Sequence, residues 1–146
     1  MDMPEKIGFT VRTQVAKPIA EVFQAIVDPR IMTKFFAHRA SGPIEPGAQL
    51  VWTWDQHGDN QVRVLAVEEP HHLKLTWKAY GGADYETIFT FNLEALSADK
   101  TMVIVSEDGW RGDQPGVKGA LDNAKGWTDM LNCLKAYLEH GIDLRG

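Results

Sequence analysis

Few residues of this chain have the type and spacing for chemistry, and each has a less reactive alternative. Cys133 is the only cysteine. A thiolate nucleophile needs a nearby cation, histidine or helix N-terminus to lower its pKa, and no histidine stands three or four residues away on its helix. It reads as a small apolar residue at the edge of a buried face. Alone it forms no internal disulfide, which fits a reducing compartment.

His71 and His72 are adjacent, so in a strand their rings point to opposite faces. Neither has a Cys or His two to four residues on to complete a zinc-type site. His38 and His57 fall in loops, and His140 suits the last carbonyls of a helix. No metal and no other cofactor is expected. Glu86, Glu107 and Asp108 are candidate acids, yet such carboxylates are usually solvated at strand ends, and none are spaced for paired acid and base work. The serine nucleophile elbow, the phosphate-binding loop and the dinucleotide glycine fingerprint are missing. No catalytic residue is assigned, and Asn123, Tyr85, Ser106 and Arg63 are left as polar anchors for a bound molecule.

The helix that carries Cys133 reads as residues 118–141. At about 100° per residue, Ala120, Ala124, Trp127, Met130, Leu131 and Leu134 share one arc. Lys118, Asp122, Lys125 and Asp129 lie opposite. Asn123 falls inside the apolar arc one turn before Trp127, where an unsatisfied amide would cost about 1–3 kcal/mol. Gly119 and Gly126 share another edge, where a missing side chain lets a neighbour come close.

The remaining elements are short. KIGFTVRTQVA alternates as a half-buried strand. Pro18 opens a helix whose apolar residues run from Ile19 to Ile26, until Asp28-Pro29 stops it. IMTKFFAH reads as a second, shorter helical turn. AQLVWTWDQ alternates with Leu50, Trp52 and Trp54 on one face, and HGDN is a hairpin signal. NQVRVLAVEEP is a strand whose buried face the pattern leaves open, because Val62, Val64 and Ala66 compete with Leu65 and Val67. HLKLTWKAY sets Leu73, Leu75 and Trp77 on one face, and YETIFTFNLEAL does the same with Phe89, Phe91 and Leu93. TMVIVSED is apolar on both faces, as befits a strand beside the first one or covered by something.

Composition bounds the function. With 146 residues, a formal charge of −5 and a sequence pI near 5.5, the chain suits one domain, residues 1–146, and disfavours nucleic acid, which clustered Lys and Arg would have to hold. No apolar run reaches the ~18 residues of a membrane span, and MDMPEKIG lacks the features of a signal peptide. A cytoplasmic location is the default expectation. Consecutive hairpin-linked strands with helices on one side imply an α+β fold. A twisted sheet of six or seven strands curls, and the closing helix, roughly 36 Å long at 1.5 Å per residue, would lie over its concave face.

This order of elements resembles the START-like (SRPBCC) superfamily with its helix-grip (START/Bet v-like) fold, in particular the group similar to the activator of heat-shock-protein-90 ATPase homologues. The resemblance rests on VAKPIAEVFQAIVDPRIMTKFF, PGAQLVW, HHLKLTW and GWTDMLNCLKAYLEHG, which together span most of the chain. The family often has a tryptophan where Phe35 and Phe36 stand here, and Ser or Thr where this chain has Lys17. The resemblance implies a cavity between sheet and closing helix that takes lipids, hormones or polyketides across the superfamily, with a minority of members acting as enzymes.

The leading expectation is therefore a domain that binds a small hydrophobic molecule. Trp52, Trp54, Trp77, Phe89, Phe91 and Trp127 would line the cavity, since such ligands are held by aromatic walls with few polar anchors. Phe35, Ile104, Asn123, Met130 and Leu131 complete the expected lining. Two alternatives stand beside it: a chaperone-associated protein-interaction module, and a cavity enzyme such as a cyclase or hydrolase.

Overall fold

The computed structural model describes residues 4–145. Strand β1 (Lys6–Val15) leads into helix α1 (Ile19–Val27) and the single turn α2 (Pro29–Met32). Six strands follow: β2 (Arg39–Ala40), β3 (Gln49–Trp54), β4 (Gly58–Glu68), β5 (His72–Lys78), β6 (Glu86–Ser97) and β7 (Lys100–Arg111). Helix α3 (Gln114–His140) closes the chain. The strands form one antiparallel seven-stranded sheet in the order β1-β7-β6-β5-β4-β3-β2. With the long helix over its concave face this is the α+β helix-grip arrangement.

Alternation decides the inner face. Val11, Thr13 and Val15 of β1 pair with Val105, Val103 and Thr101 of β7. Along β7, Thr101, Val103, Val105 and Glu107 are buried, so the inward series ends in a carboxylate. The pairing then steps from Gly8–Asp108 to Ile7–Trp110, which leaves Gly109 as an extra residue. Gly109 takes φ +95°, a value that costs glycine little, and the bulge turns Trp110 back towards the interior. A second bulge, at Leu65, settles β4: Val62 and Val64 are buried before it, and Val67 faces the core after it, opposite Leu73.

The helices begin and end where their caps dictate. Asp28 accepts the Arg30 N–H and starts α2 with Pro29 in its first turn, so Phe35 and Phe36 lie beyond the helix rather than in it. Asp113 accepts the Gly116 N–H at 2.8 Å, with Pro115 in the first turn, so α3 starts four residues before the expected 118. Gly141 ends it in the left-handed conformation at φ +67°. The far end of α3 is tied to β1, where Lys135 Nζ donates to the Gln14 carbonyl and Glu139 accepts the Ala16 N–H at 3.0 Å.

The buried residues fall into a main core between sheet, α1 and α3, and a small cluster of Ala79, Ala83, Trp110 and Ala120 near the start of α3. Gly119 faces this small cluster. A Cβ there would stand 2.7 Å from Trp110 Cζ3, so the absent side chain lets helix and strand meet, whereas a Cβ on Gly126 would touch nothing within 4 Å.

Candidate functional site

The carboxylate that ends the inward series of β7 organises the interior. Glu107 is 0% exposed. Its Oε1 accepts the Trp127 indole N–H at 2.8 Å and the Asn123 amide at 3.0 Å, both from α3. Its Oε2 accepts the Trp77 indole N–H at 2.9 Å from β5 and the Thr87 hydroxyl at 2.5 Å from β6. The donors are all neutral. A carboxylate without a cation is costly to bury, and a full set of donors on both oxygens offsets that cost. The expectation that Glu107 sits at a solvated strand end is thus corrected, since β7 runs on past it to the bulge. Asp108, on the other side of the strand, is exposed, and so is Glu86.

Glu107 also fixes two of the aromatic rings, Trp77 and Trp127. The Trp77 and Trp127 rings stack at 5.6 Å with 27° between their planes. Phe89 packs 4.5 Å from Trp77 and 5.1 Å from Trp127. Phe36 meets Trp52, Trp54 and Trp127 at 5.0–5.5 Å. Edge-on and offset contacts of this kind hold rings in set directions.

Beside this cluster opens a cleft of about 1030 Å³ between the start of β4, the β5–β6 connection and α3. Phe35, Phe36, Trp54, Trp77, Trp127 and Met130 give it apolar walls. Polar groups, including His38, Gln61, Lys78, Glu86 and Asn123, share its lining. Of the expected lining residues, Phe35, Trp54, Trp77, Asn123, Trp127 and Met130 border the cleft. Trp52, Phe89, Phe91 and Leu131 are buried in the core behind it. Trp52 and Phe91 border a separate void of about 10 Å³, room for no more than a water molecule. Ile104 does not reach the interior, because its neighbours Val103 and Val105 take the inward positions and the strand turns Ile104 to the opposite face.

The other candidate anchors are engaged elsewhere. Arg63 pairs with Glu86 at 2.7 Å, Ser106 meets Thr10 at 2.9 Å, and the Tyr85 hydroxyl accepts the Arg111 N–H at 3.3 Å. Cys133 borders the cleft, but burial pushes its thiol above the ordinary value and leaves it a weak nucleophile. His72 bonds Asn92 Oδ1 at 2.7 Å through its Nδ1. Among the described residues no three His, Cys, Asp or Glu side chains gather as a metal site, and no helix is long and apolar enough to cross a membrane.

A curved antiparallel sheet gripped by one long helix is the arrangement of the START-like class. Residues 16–139 match the family described as activator of Hsp90 ATPase homolog 1-like protein, and the chain belongs to that family. A Staphylococcus saprophyticus protein is 30% identical with a TM-score of 0.80, over 96% of this chain and 97% of that one. DynU16, a protein of the dynemicin biosynthetic locus, is 28% identical with a TM-score of 0.78; 92% of this chain matches 48% of that longer one. The Aha1 dimer from Colwellia psychrerythraea shares the fold at a TM-score of 0.74 and 20% identity, over 92% of this chain and 98% of that one. Among curated proteins none matches.

Proposed function

We propose that residues 1–146 form one domain that binds a small, flat, largely apolar molecule in the cleft beside Trp54, Trp77 and Trp127. The observation that carries this reading is the cleft itself. Its volume of about 1030 Å³ lies just above the ~300–1000 Å³ usual for small-molecule sites. Two of its three indoles are held in place by Glu107 before any ligand arrives, so little ordering has to accompany binding. The mixed lining suits a molecule with an apolar body and one or two polar groups. The kinship with DynU16, from a biosynthetic locus, is compatible with such a ligand.

Native mass spectrometry with a panel of hydrophobic metabolites, read beside tryptophan emission, tests the reading. A retained ligand with a quench or shift that Trp54→Ala weakens is the expected result. No added mass and no emission change across the panel would sink it. A protein-docking role has less behind it, because the exposed large apolar side chains, such as Leu65, Leu96, Leu121 and Leu144, are spread over β4, β6, α3 and the segment after it.

A further inference from the structure

We infer that the cleft prefers aromatic molecules carrying a hydroxyl or N–H group, which donates a hydrogen bond to Oδ1 of Asn123. The inference rests on the cleft's being a ligand site and names the chemistry that site would select.

Asn123 borders the cleft while its Nδ2 donates inward to Glu107 Oε1 at 3.0 Å. The direction of this amide is imposed. The Trp127 indole is an obligate donor to the same oxygen at 2.8 Å, and Trp77, another obligate donor, takes Oε2 at 2.9 Å. A carboxylate between them acts as an acceptor, so Asn123 must offer it the nitrogen. The amide is planar and rigid, which leaves Oδ1 at the end away from the buried carboxylate. Among the described residues no donor is bonded to that oxygen, and it is not sealed from solvent.

A flat ring resting against the part-exposed Trp54 and Trp77, over the buried Trp127, brings its edge to this acceptor. A phenol or aromatic amine supplies Oδ1 with a donor in place of the solvent it takes from the open cleft. An ether or plain hydrocarbon of the same shape displaces that solvent and returns nothing. Glu107 is thus a positioning residue: it touches no ligand and sets which end of Asn123 the ligand meets.

The test uses 2-naphthol and 2-methoxynaphthalene, which share a ring system and differ in the donor, titrated into the whole protein by calorimetry and tryptophan emission. The naphthol should bind tighter by about 5- to 10-fold, the worth of one net hydrogen bond. That order runs against hydrophobicity, since the ether is the more apolar. In Asn123→Leu the preference should shrink to less than about two-fold, below the worth of a hydrogen bond. Equal affinities, or a tighter ether, with both weakened by Trp54→Ala, overturn the donor preference and leave the ligand-binding reading standing. Full preference retained in Asn123→Leu overturns the role of that residue. Binding of neither naphthalene also overturns the inference, and the metabolite panel then shows whether the ligand-binding reading falls with it. Should Asn123→Leu fail to fold, the comparison in the unaltered protein decides.

Discussion

Trp127 of α3 donates its indole N–H to Oε1 of Glu107 in β7 across 2.8 Å, with no exposure at the carboxylate. The closing helix is therefore fastened to the sheet by a polar bond inside an otherwise apolar interior. Trp77 reaches the other oxygen from β5, so strand, helix and sheet centre meet at one side chain.

Glu107→Gln should destabilise the protein by about 1–3 kcal/mol, because an amide group replaces one oxygen and opposes at least one of the present donors. Glu107→Leu should cost more, since it strands both indoles, Thr87 and Asn123 together. Urea unfolding followed by circular dichroism measures both. A leucine variant as stable as the parent would show that the network contributes nothing net.

Two tryptophans offer a controlled comparison. The Trp110 and Trp52 indole N–H groups are buried with no acceptor, whereas that of Trp127 is bonded. Trp110→Phe and Trp127→Phe remove similar volume, but only the second takes a hydrogen bond away from a buried carboxylate. Trp127→Phe should be the more damaging by about 1–3 kcal/mol. Equal losses in melting experiments would contradict the difference.

Two glycines of α3, Gly119 and Gly126, should respond with opposite signs. Gly119→Ala places a methyl 2.7 Å from the buried Trp110 ring, and the overpacking should cost about 1–3 kcal/mol, exceeding the helix propensity gained. Gly126→Ala meets nothing within 4 Å and should gain about 0.5–1 kcal/mol. Thermal midpoints of the two variants, moving apart from the parent, check the pair.

Acid should loosen α2 and the segment after α3. The Arg30 side chain and N–H hold the Asp28 carboxyl down from 3.8 to about 2, and Arg145 does the same for Asp143. A depressed carboxylate contributes stability that is complete above its unfolded value. That contribution fades as pH falls from 3.8 through about 2 for both groups. Because Arg30 is largely exposed, the effect is modest. Across that window the midpoint of the parent should fall more steeply than that of Asp28→Asn; parallel slopes would contradict this origin.

The fold was largely legible because strands and helix each carry a regular apolar period. Leu50, Trp52 and Trp54 share a face as the alternation implies, and so do Phe89, Phe91 and Leu93. The buried face of β4 was illegible for a definite reason: the bulge at Leu65 changes parity midway, so Val62 and Val64 on one count and Val67 on the other all face inward. The start of α3 was missed because its signal is a cap, Asp113 followed by Pro115, and not a hydrophobic period.

Glu107 was hidden by its type, yet the pattern contained it. Counting by twos from Val103 through Val105 arrives at Glu107, a polar residue on a buried face. Asn123 posed the matching anomaly on the helix, and each proves to be the other's partner. Alternation likewise excludes Ile104, which stands one place out of step with Val103 and Val105. The cleft itself was not legible, because it depends on how far the β3–β4 hairpin and the β5–β6 connection stand off from α3.

The stacked indoles of Trp77 and Trp127 are two chromophores at a separation of 5.6 Å and an angle of 27°. Transition dipoles that close and that rigidly oriented couple, and a coupled pair gives a paired band of opposite signs in circular dichroism. Trp77 also lies 6.0 Å from Trp52 and 6.4 Å from Trp54 within the sheet, so the component of that band that Trp127→Phe removes is the one that reports the seating of α3, without any added label.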